Sequence, residues 1–152
     1  MKTLFVASIA FAFLATYVSG VHVIEKTYLA SMRKAEFLKI VECISISRDP
    51  VLCAKYSHCE KLMPYRVFKA VEKCQKEHAG HISLRCTKHE PLYKNLIIPT
   101  KIFDCTVETV KKLSHPEKEV MLKFEECAKK LEKESCKVVE THKHAHRLRH
   151  LF

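Results

Sequence analysis

Histidine is concentrated at the end of this chain, where imidazole groups could bind a metal ion. The last eleven residues hold four of the ten histidines. If a helix continues to the end, His142, His146 and His150 lie on one of its faces at i, i+4 and i+8. Neutral imidazole is a good ligand for Cu²⁺ and Zn²⁺, so the segment predicts a moderate-affinity copper or zinc site. The candidate ligands are His142, His144, His146 and His150.

A solvated basic tail is the alternative interpretation of the same segment. Lys143, Arg147 and Arg149 alternate with the histidines and disfavour a bound cation. Chain ends are also commonly unpacked. A second, weaker histidine group lies around Gly80 and consists of His78, His81 and His89. Surface histidines are common, so neither histidine group predicts a cofactor that the fold requires. Copper or zinc is expected only at the terminal group.

Cysteine is the other residue type that could do chemistry here. The eight cysteines are even in number, which in an oxidising compartment predicts four structural disulfides. No CxxC pair is present to favour redox chemistry or zinc. Cys53 and Cys59 point about 120° apart on a helix, so they should have different partners, and the other pairings stay open. The predicted half-cystines are Cys43, Cys53, Cys59, Cys74, Cys86, Cys105, Cys127 and Cys136.

Motifs that support catalysis are missing from the sequence. There is no phosphate-binding glycine loop, no HExxH and no GxSxG. Disulfides would use every cysteine and leave no thiol nucleophile. We therefore expect a protein that binds and does not catalyse a reaction.

The first twenty residues have the pattern of a secretory signal peptide. Lys2 precedes an apolar run at 4–14, and the small residues Ser19 and Gly20 suit a cleavage site. No later stretch is long and apolar enough to cross a membrane. The expected organisation is a signal peptide at 1–20, a disulfide-linked helical domain at 21–139 and a basic, histidine-rich tail at 140–152. The expected location is extracellular.

Glycine content indicates an all-α fold, a compact bundle of about five helices. Only Gly80 follows the signal peptide, and Asn95 is the single asparagine, so the residues of tight hairpin turns are nearly absent. Asp49 with Pro50, Pro64 and the Ser114–Glu117 capping box mark three helix starts. Apolar spacing predicts helices over 21–46, 50–62, 64–78, 100–113 and from 115 onward, with a short buried helix within 81–99. The apolar stripe of the first helix includes Tyr28 and Met32.

The net charge of the chain is +10 with histidines neutral. Such a charge suits an anionic microbial or membrane surface as partner. The alternative interpretation is solubility, because lysine and glutamate alternate along the helices. A nucleic-acid partner is not expected.

Several of these features together resemble the microplusin-type proteins, which are small, secreted, all-α antimicrobial proteins of ticks that sequester copper. The resemblance rests on Glu42-Cys43-Ile44 at a helix end, the disulfide-linked helices, the secretion signal and the histidine-rich terminus. It covers about 38–86 and the tail. That family has six cysteines and a tail rich in His, Asp and Glu, whereas this chain has eight and a basic tail. The resemblance implies copper binding at His142, His144 and His146, and an antimicrobial role.

Two other functions fit the same scaffold. The spacing from Cys127 to Cys136 is similar to that of the last two cysteines of insect odorant-binding proteins, although their CxxxC pair is missing. That resemblance implies a carrier of a small apolar ligand, enclosed by aromatic side chains that could equally be plain core. These side chains are Phe37, Phe68, Phe103 and Phe124. The third function is that of a venom component or another secreted interaction protein.

Overall fold

Local sequence signals begin and end most of the helices. The computed structural model describes residues 26–80 and 86–136, and these residues form α-helices and no strand. The helices are α1 Lys34–Ser47, α2 Pro50–Glu60, α3 Tyr65–Ala79, α4 Ile97–Val110 and α5 His115–Leu131, which continues into a π-helical turn, Glu132–Cys136. The prediction of an all-α fold with about five helices is confirmed.

Three predicted helix starts are found where the sequence placed them. The Asp49 side chain accepts a hydrogen bond of 2.8 Å from the Val51 amide, and Pro50 occupies the first position of α2. Pro64 precedes α3, which ends at Gly80 with φ of 77°. Ser114 begins α5 with the predicted capping box. Helix ends whose free backbone groups are capped by neighbouring residues can therefore be recognised without knowledge of the tertiary structure.

The first helix is shorter than predicted. The prediction began it at residue 21, but α1 begins at Lys34, and 26–33 is irregular. Tyr28 and Met32 in this segment are buried, as their spacing predicted. The backbone is not helical because its amides at 30–32 bind the carboxylate of Glu125 instead of helix carbonyl groups.

The prediction of a short buried helix within 81–99 is wrong for 86–96, which the structure describes. Leu92 and Tyr93 are buried, but 86–96 consists of turns and irregular chain. The Tyr93 amide donates to Ser45 Oγ over 3.0 Å, so the segment is fixed by a hydroxyl of α1. The Asn95 side chain then accepts from the amide of Ile97 and brings the start of α4 forward from the predicted residue 100.

Disulfides and apolar packing join these elements. α3 packs along α4, α2 packs on α5, and the π-helical turn packs on α1. At the centre, the rings of Tyr28, Phe37, Phe103 and Phe124 contact one another, with centroid distances of 4.9–6.4 Å. Within the described ranges, none of the helices has the length and apolar character needed to cross a membrane.

Candidate functional site

All eight cysteines form structural disulfides. The Cα atoms of the four pairs are 5.6–6.0 Å apart, the usual range, and Cys53 and Cys59 have different partners as predicted. No cysteine remains as a thiol. The pairing, which the sequence left open, is Cys43–Cys136, Cys53–Cys86, Cys59–Cys127 and Cys74–Cys105.

The predicted metal ligands at the chain end lie outside the part of the chain that the structure describes. His142, His144, His146 and His150 lie outside the described residues, as does His81. His78 lies in the last turn of α3, beside Glu77 and Cys105. The sulfur of Cys105 is bonded to Cys74 and is not a thiolate, so this group lacks the donor that a metal would need. Copper or zinc binding at the terminal histidines stays a prediction.

The phenylalanines that a carrier would need as pocket walls fill the core. Phe37, Phe103 and Phe124 are buried against one another, while Phe68 is only partly buried. Next to Phe37, the core encloses a cavity of about 10 Å³, which is room for one water molecule. An odorant or lipid needs several hundred Å³. These phenylalanines therefore give the carrier alternative no support.

A buried carboxylate joins α5 to the segment before α1. Glu125 is 1 % exposed, and its Oε2 accepts hydrogen bonds from the amides of Ser31 and Met32 over 3.0 and 2.8 Å. Its Oε1 accepts from the Ala30 amide, and the Ser31 hydroxyl also donates to Oε2. The four donors replace the water that a charged group loses on burial. Glu125 is therefore a structural anchor and not a reactive group.

On the surface, Arg66 connects three helices. Its guanidinium donates to both carboxylate oxygens of Glu117 in α5, over 2.8 and 2.9 Å. It also donates to the carbonyl oxygen of Val110, the last residue of α4, and to that of Lys112 just after the helix. The hydrogen bonds from Arg66 and then from Ser114 lower the pKa of Glu117 to about 2. The planar guanidinium of arginine can donate these hydrogen bonds at the same time, whereas the single ammonium group of lysine cannot form the paired contact with a carboxylate.

Arg66 also stabilises a strained turn. The Lys112 amide donates to the Val110 carbonyl over 2.8 Å, which closes a three-residue γ-turn. Its central residue, Lys111, has φ of 60° and ψ of −74°. This is the rare form of the turn, and it costs a residue with a side chain about 1–3 kcal/mol. Because glycine could adopt this conformation without that cost, the lysine at this position requires another explanation.

The lysines of this turn extend a basic surface on α3. Tyr65, Arg66 and Lys69 fall within one 100° sector of the helix, and Lys73 and Lys76 lie in the same sector. We call this surface, together with the turn lysines, the α3 basic face; it comprises Tyr65, Arg66, Lys69, Lys73, Lys76, Lys111 and Lys112. Acidic residues favour the first turn of a helix, but α3 has none there.

Tyr65 is the exposed aromatic residue of the α3 basic face. Its side chain is 76 % exposed, the highest value among the large apolar residues described. The Nζ atom of Lys69 lies 5.7 Å from the Tyr65 ring and 5.8 Å from the Phe68 ring, and it contacts Glu72 at 2.7 Å. The Lys69 ammonium group thus restrains the Tyr65 ring, which no part of the described fold covers.

Only part of this surface can be recognised from the amino-acid sequence. The charges of Lys69, Lys73 and Lys76 are visible in it, and their helical spacing is predictable. Lys111 carries no local signal for a positive φ, because the turn depends on Arg66, whose hydrogen bond to Val110 spans 44 positions of the chain. A comparable hydrogen bond over a long separation fixes Glu125, which sequence pattern alone would place on the exposed side of α5.

Comparison with known proteins gives one family. Residues 31–137 match the family described as Hi1a-like, U10-hexatoxin-Hi1a. No curated protein and no solved structure matches the chain. The matched region contains all five helices and all eight cysteines. The resemblance to microplusin-type proteins receives no support from these comparisons and stays a hypothesis.

The family match covers more than two thirds of the chain and spans every disulfide. Both the match and the four disulfides are consistent with a secreted protein of the venom-toxin type. The chain belongs to the Hi1a-like family, U10-hexatoxin-Hi1a.

Proposed function

We propose that this protein is a secreted, venom-type toxin that acts by binding an acidic surface of a target protein through the α3 basic face. Lys111 carries the proposal, since it occupies a strained backbone position at the edge of that face. Residues with a strained backbone cluster at functional sites. Glycine would relieve the strain at position 111, but the chain has a charged lysine there instead. No catalytic role is proposed for any residue of this face.

The composition of the face favours a protein partner over a lipid surface. Tyrosine and arginine are typical hot-spot residues of protein interfaces. Lipid binding by a helix needs a broad exposed apolar side, but the apolar side of α3 is buried in the core through Val67, Val71 and Cys74. The lysines of this face would speed association with an acidic patch and make the association rate dependent on salt.

Disulfides supply the rigidity that such a surface needs. Cys74–Cys105 joins α3 to α4, and the Arg66–Glu117 contact joins α3 to α5. The face is therefore formed before binding, and little conformational entropy is lost when a partner docks. Contact with anionic microbial surfaces and copper sequestration by the terminal histidines are separate proposals that rest on the sequence alone.

A binding experiment with matched variants tests the proposal. Labelled mature protein is titrated onto animal cell membranes, onto the same membranes after protease treatment, and onto protein-free vesicles of phosphatidylserine and phosphatidylcholine. We expect saturable binding only to untreated membranes, with a lower association rate as salt is raised. Tyr65→Ala and Lys111→Gly should each weaken this binding by about tenfold.

Arg48→Gly is the matched control for Lys111→Gly. Arg48 ends α1 with φ of 51°, so glycine relieves a positive φ there as well, but it lies outside the α3 basic face. Both glycine variants should raise the melting temperature or leave it unchanged, whereas only Lys111→Gly should lose affinity. Equal binding by both variants, or equal binding to vesicles and membranes, would overturn the proposal.

A further inference from the structure

Glu60 is a buried acid that neither the fold nor the α3 basic face explains. It is the last residue of α2 and is 2 % exposed. Its Oε2 atom is buried and has no hydrogen-bond partner among the described residues. Buried carboxylates normally have several donors, as Glu125 does, so an unpartnered oxygen at this depth calls for a ligand or a proton.

The carboxyl group borders the core cavity of about 10 Å³. The polar residues that line this cavity with Glu60 are three tyrosines and one glutamine; they are Tyr28, Tyr56, Gln75 and Tyr93. Gln75 Nε2 lies 3.4 Å from the Tyr93 hydroxyl, and Tyr93 is fixed in turn through its backbone by Ser45. One water molecule needs about this volume and two to four polar partners.

Among the residues that the structure describes, the groups that face Glu60 include no cation. Tyr28 reaches it from the segment before α1, Tyr56 from its own helix, and Tyr93 from the segment before α4. From α3 the groups are Gln75 and, by its charge, Glu72. α1 and α4 contribute only apolar lining, which includes Val41 and Ile102.

We infer that Glu60 and its polar neighbours form an internal binding site for one water molecule, and that the proton on this hydrated carboxyl group controls the stability of the α2–α3 junction. The junction begins at Glu60 itself, whose carbonyl oxygen accepts from the Met63 amide over 3.1 Å. Tyr65 of the α3 basic face follows two residues after Met63. This inference concerns the core and does not depend on the proposed function.

The electrostatic environment agrees with this geometry. Burial raises the pKa of Glu60 to about 8, although hydrogen bonding to Tyr56 and Gln75 opposes the shift. The folded protein therefore keeps a proton at Glu60 over a pH range in which the unfolded chain, with an ordinary glutamate pKa of about 4.3, has lost it. Stability is then greatest below about pH 4.3 with respect to this group, and it falls as the pH rises towards 8.

Two substitutions distinguish the effect of the Glu60 proton from the effect of the bound water. Glu60→Gln keeps the polar shape but cannot ionise, whereas Glu60→Met removes both oxygens and fills the cavity. The melting temperature of the wild type should fall by roughly 10 °C more than that of Glu60→Gln between pH 5 and 8. Exposed histidines titrate in the same range, so the informative quantity is the difference between the two proteins.

Direct measurements complete the test. Carbon-detected NMR of the glutamate carboxyl groups should show one group that titrates several pH units above the others and is lost in Glu60→Gln. A high-resolution crystal structure should show one water on Glu60 Oε2, which Glu60→Met displaces. Hydrogen exchange of the Met63 amide, corrected for its intrinsic rate, should accelerate above pH 8 in the wild type only. A dry cavity, or melting profiles that run parallel from pH 5 to 8, would overturn the inference.

Discussion

The Arg66 guanidinium donates two parallel hydrogen bonds to the Glu117 carboxylate, with Nε–Oε1 and Nη2–Oε2 distances of 2.8 and 2.9 Å. The two residues are far apart in sequence, and their contact joins the first turn of α3 to the first turn of α5. Since Arg66 also binds two carbonyl oxygens at the end of α4, one side chain fixes the relative positions of three helices.

Replacement of Arg66 should destabilise the fold more than an exposed charge usually would. Arg66→Ala removes hydrogen bonds to Glu117, Val110 and Lys112, and we expect a loss of about 1–2 kcal/mol in the free energy of unfolding. Arg66→Lys should recover only part of this, because an ammonium group cannot form the paired contact. Denaturant unfolding measures the change, with Lys123→Ala as an exposed control. A loss in the control as large as that in Arg66→Ala would contradict the prediction.

Acid should weaken the same contact. The Arg66 hydrogen bonds hold the pKa of Glu117 at about 2, so the folded state releases this proton more readily than the unfolded chain. Its stabilising effect is therefore complete above about pH 4.5 and is lost as the pH falls towards 2. Glu117→Gln should lower stability at pH 6 and flatten the profile between pH 4.5 and 2. The check is thermal unfolding across this range; an unchanged slope in the variant would be the contrary result.

Loss of the Glu125 carboxylate should release the segment before α1. Glu125→Ala leaves the amides of Ala30, Ser31 and Met32 without their acceptor, and we expect a cost of about 3 kcal/mol. Hydrogen exchange at these three amides should accelerate in the folded protein. Glu126→Ala, which changes the neighbouring residue, serves as the control. If exchange at 30–32 stays slow in Glu125→Ala, the segment is fixed by apolar packing instead.

The disulfides should differ in their contribution to stability. Cys43–Cys136 closes a sequence separation of 93 residues and Cys74–Cys105 one of 31. Chain entropy then predicts that alanine at both positions of the first pair costs about 5 kcal/mol, and at the second about 4. Calorimetric melting of the two double variants gives the comparison. The reverse order would indicate that packing around the buried Cys74 outweighs the entropy of the unfolded chain.

Copper or zinc binding at the tail stays a prediction from sequence. His142→Ala/His146→Ala should lower the affinity of the mature protein for Cu²⁺ in titration calorimetry, and wild-type binding should weaken as the pH falls through about 6.5. His58→Ala/His115→Ala removes two exposed histidines from the helical part and is the matched control. Equal affinity in all three proteins would leave the tail as a solvated basic segment.

The accuracy of the sequence-based predictions depended on how far apart the interacting residues are. The starts of α2 and α5 depend on neighbours within three residues, and both were predicted correctly. The start of α1 was not, because the acceptor for its preceding amides is Glu125, more than ninety positions away. Apolar spacing correctly predicted that Tyr28 and Met32 are buried, but burial alone does not specify a helix.

The same limit applies to the candidate site. The basic residues of α3 could be placed on one face from their spacing, whereas the strained Lys111 and the buried Glu60 could not be anticipated. A glutamate at a helix end is normally exposed, and its burial depends on how α2 meets α3 and the segment at Tyr93. The disulfide pairing was likewise outside the reach of sequence reasoning, since eight cysteines allow 105 arrangements.

The four disulfides share one topological property. Each joins a cysteine at or before Cys74 to a cysteine at or after Cys86. A protease that cut the backbone anywhere in 75–85 would therefore produce two polypeptides held together by four covalent links. Such a nicked molecule would migrate as one species under non-reducing electrophoresis and as two after reduction. It would keep α1, α2 and most of α3 bonded to α4 and α5, so a single peptide bond in that stretch could be lost while every helix remains covalently attached to the others.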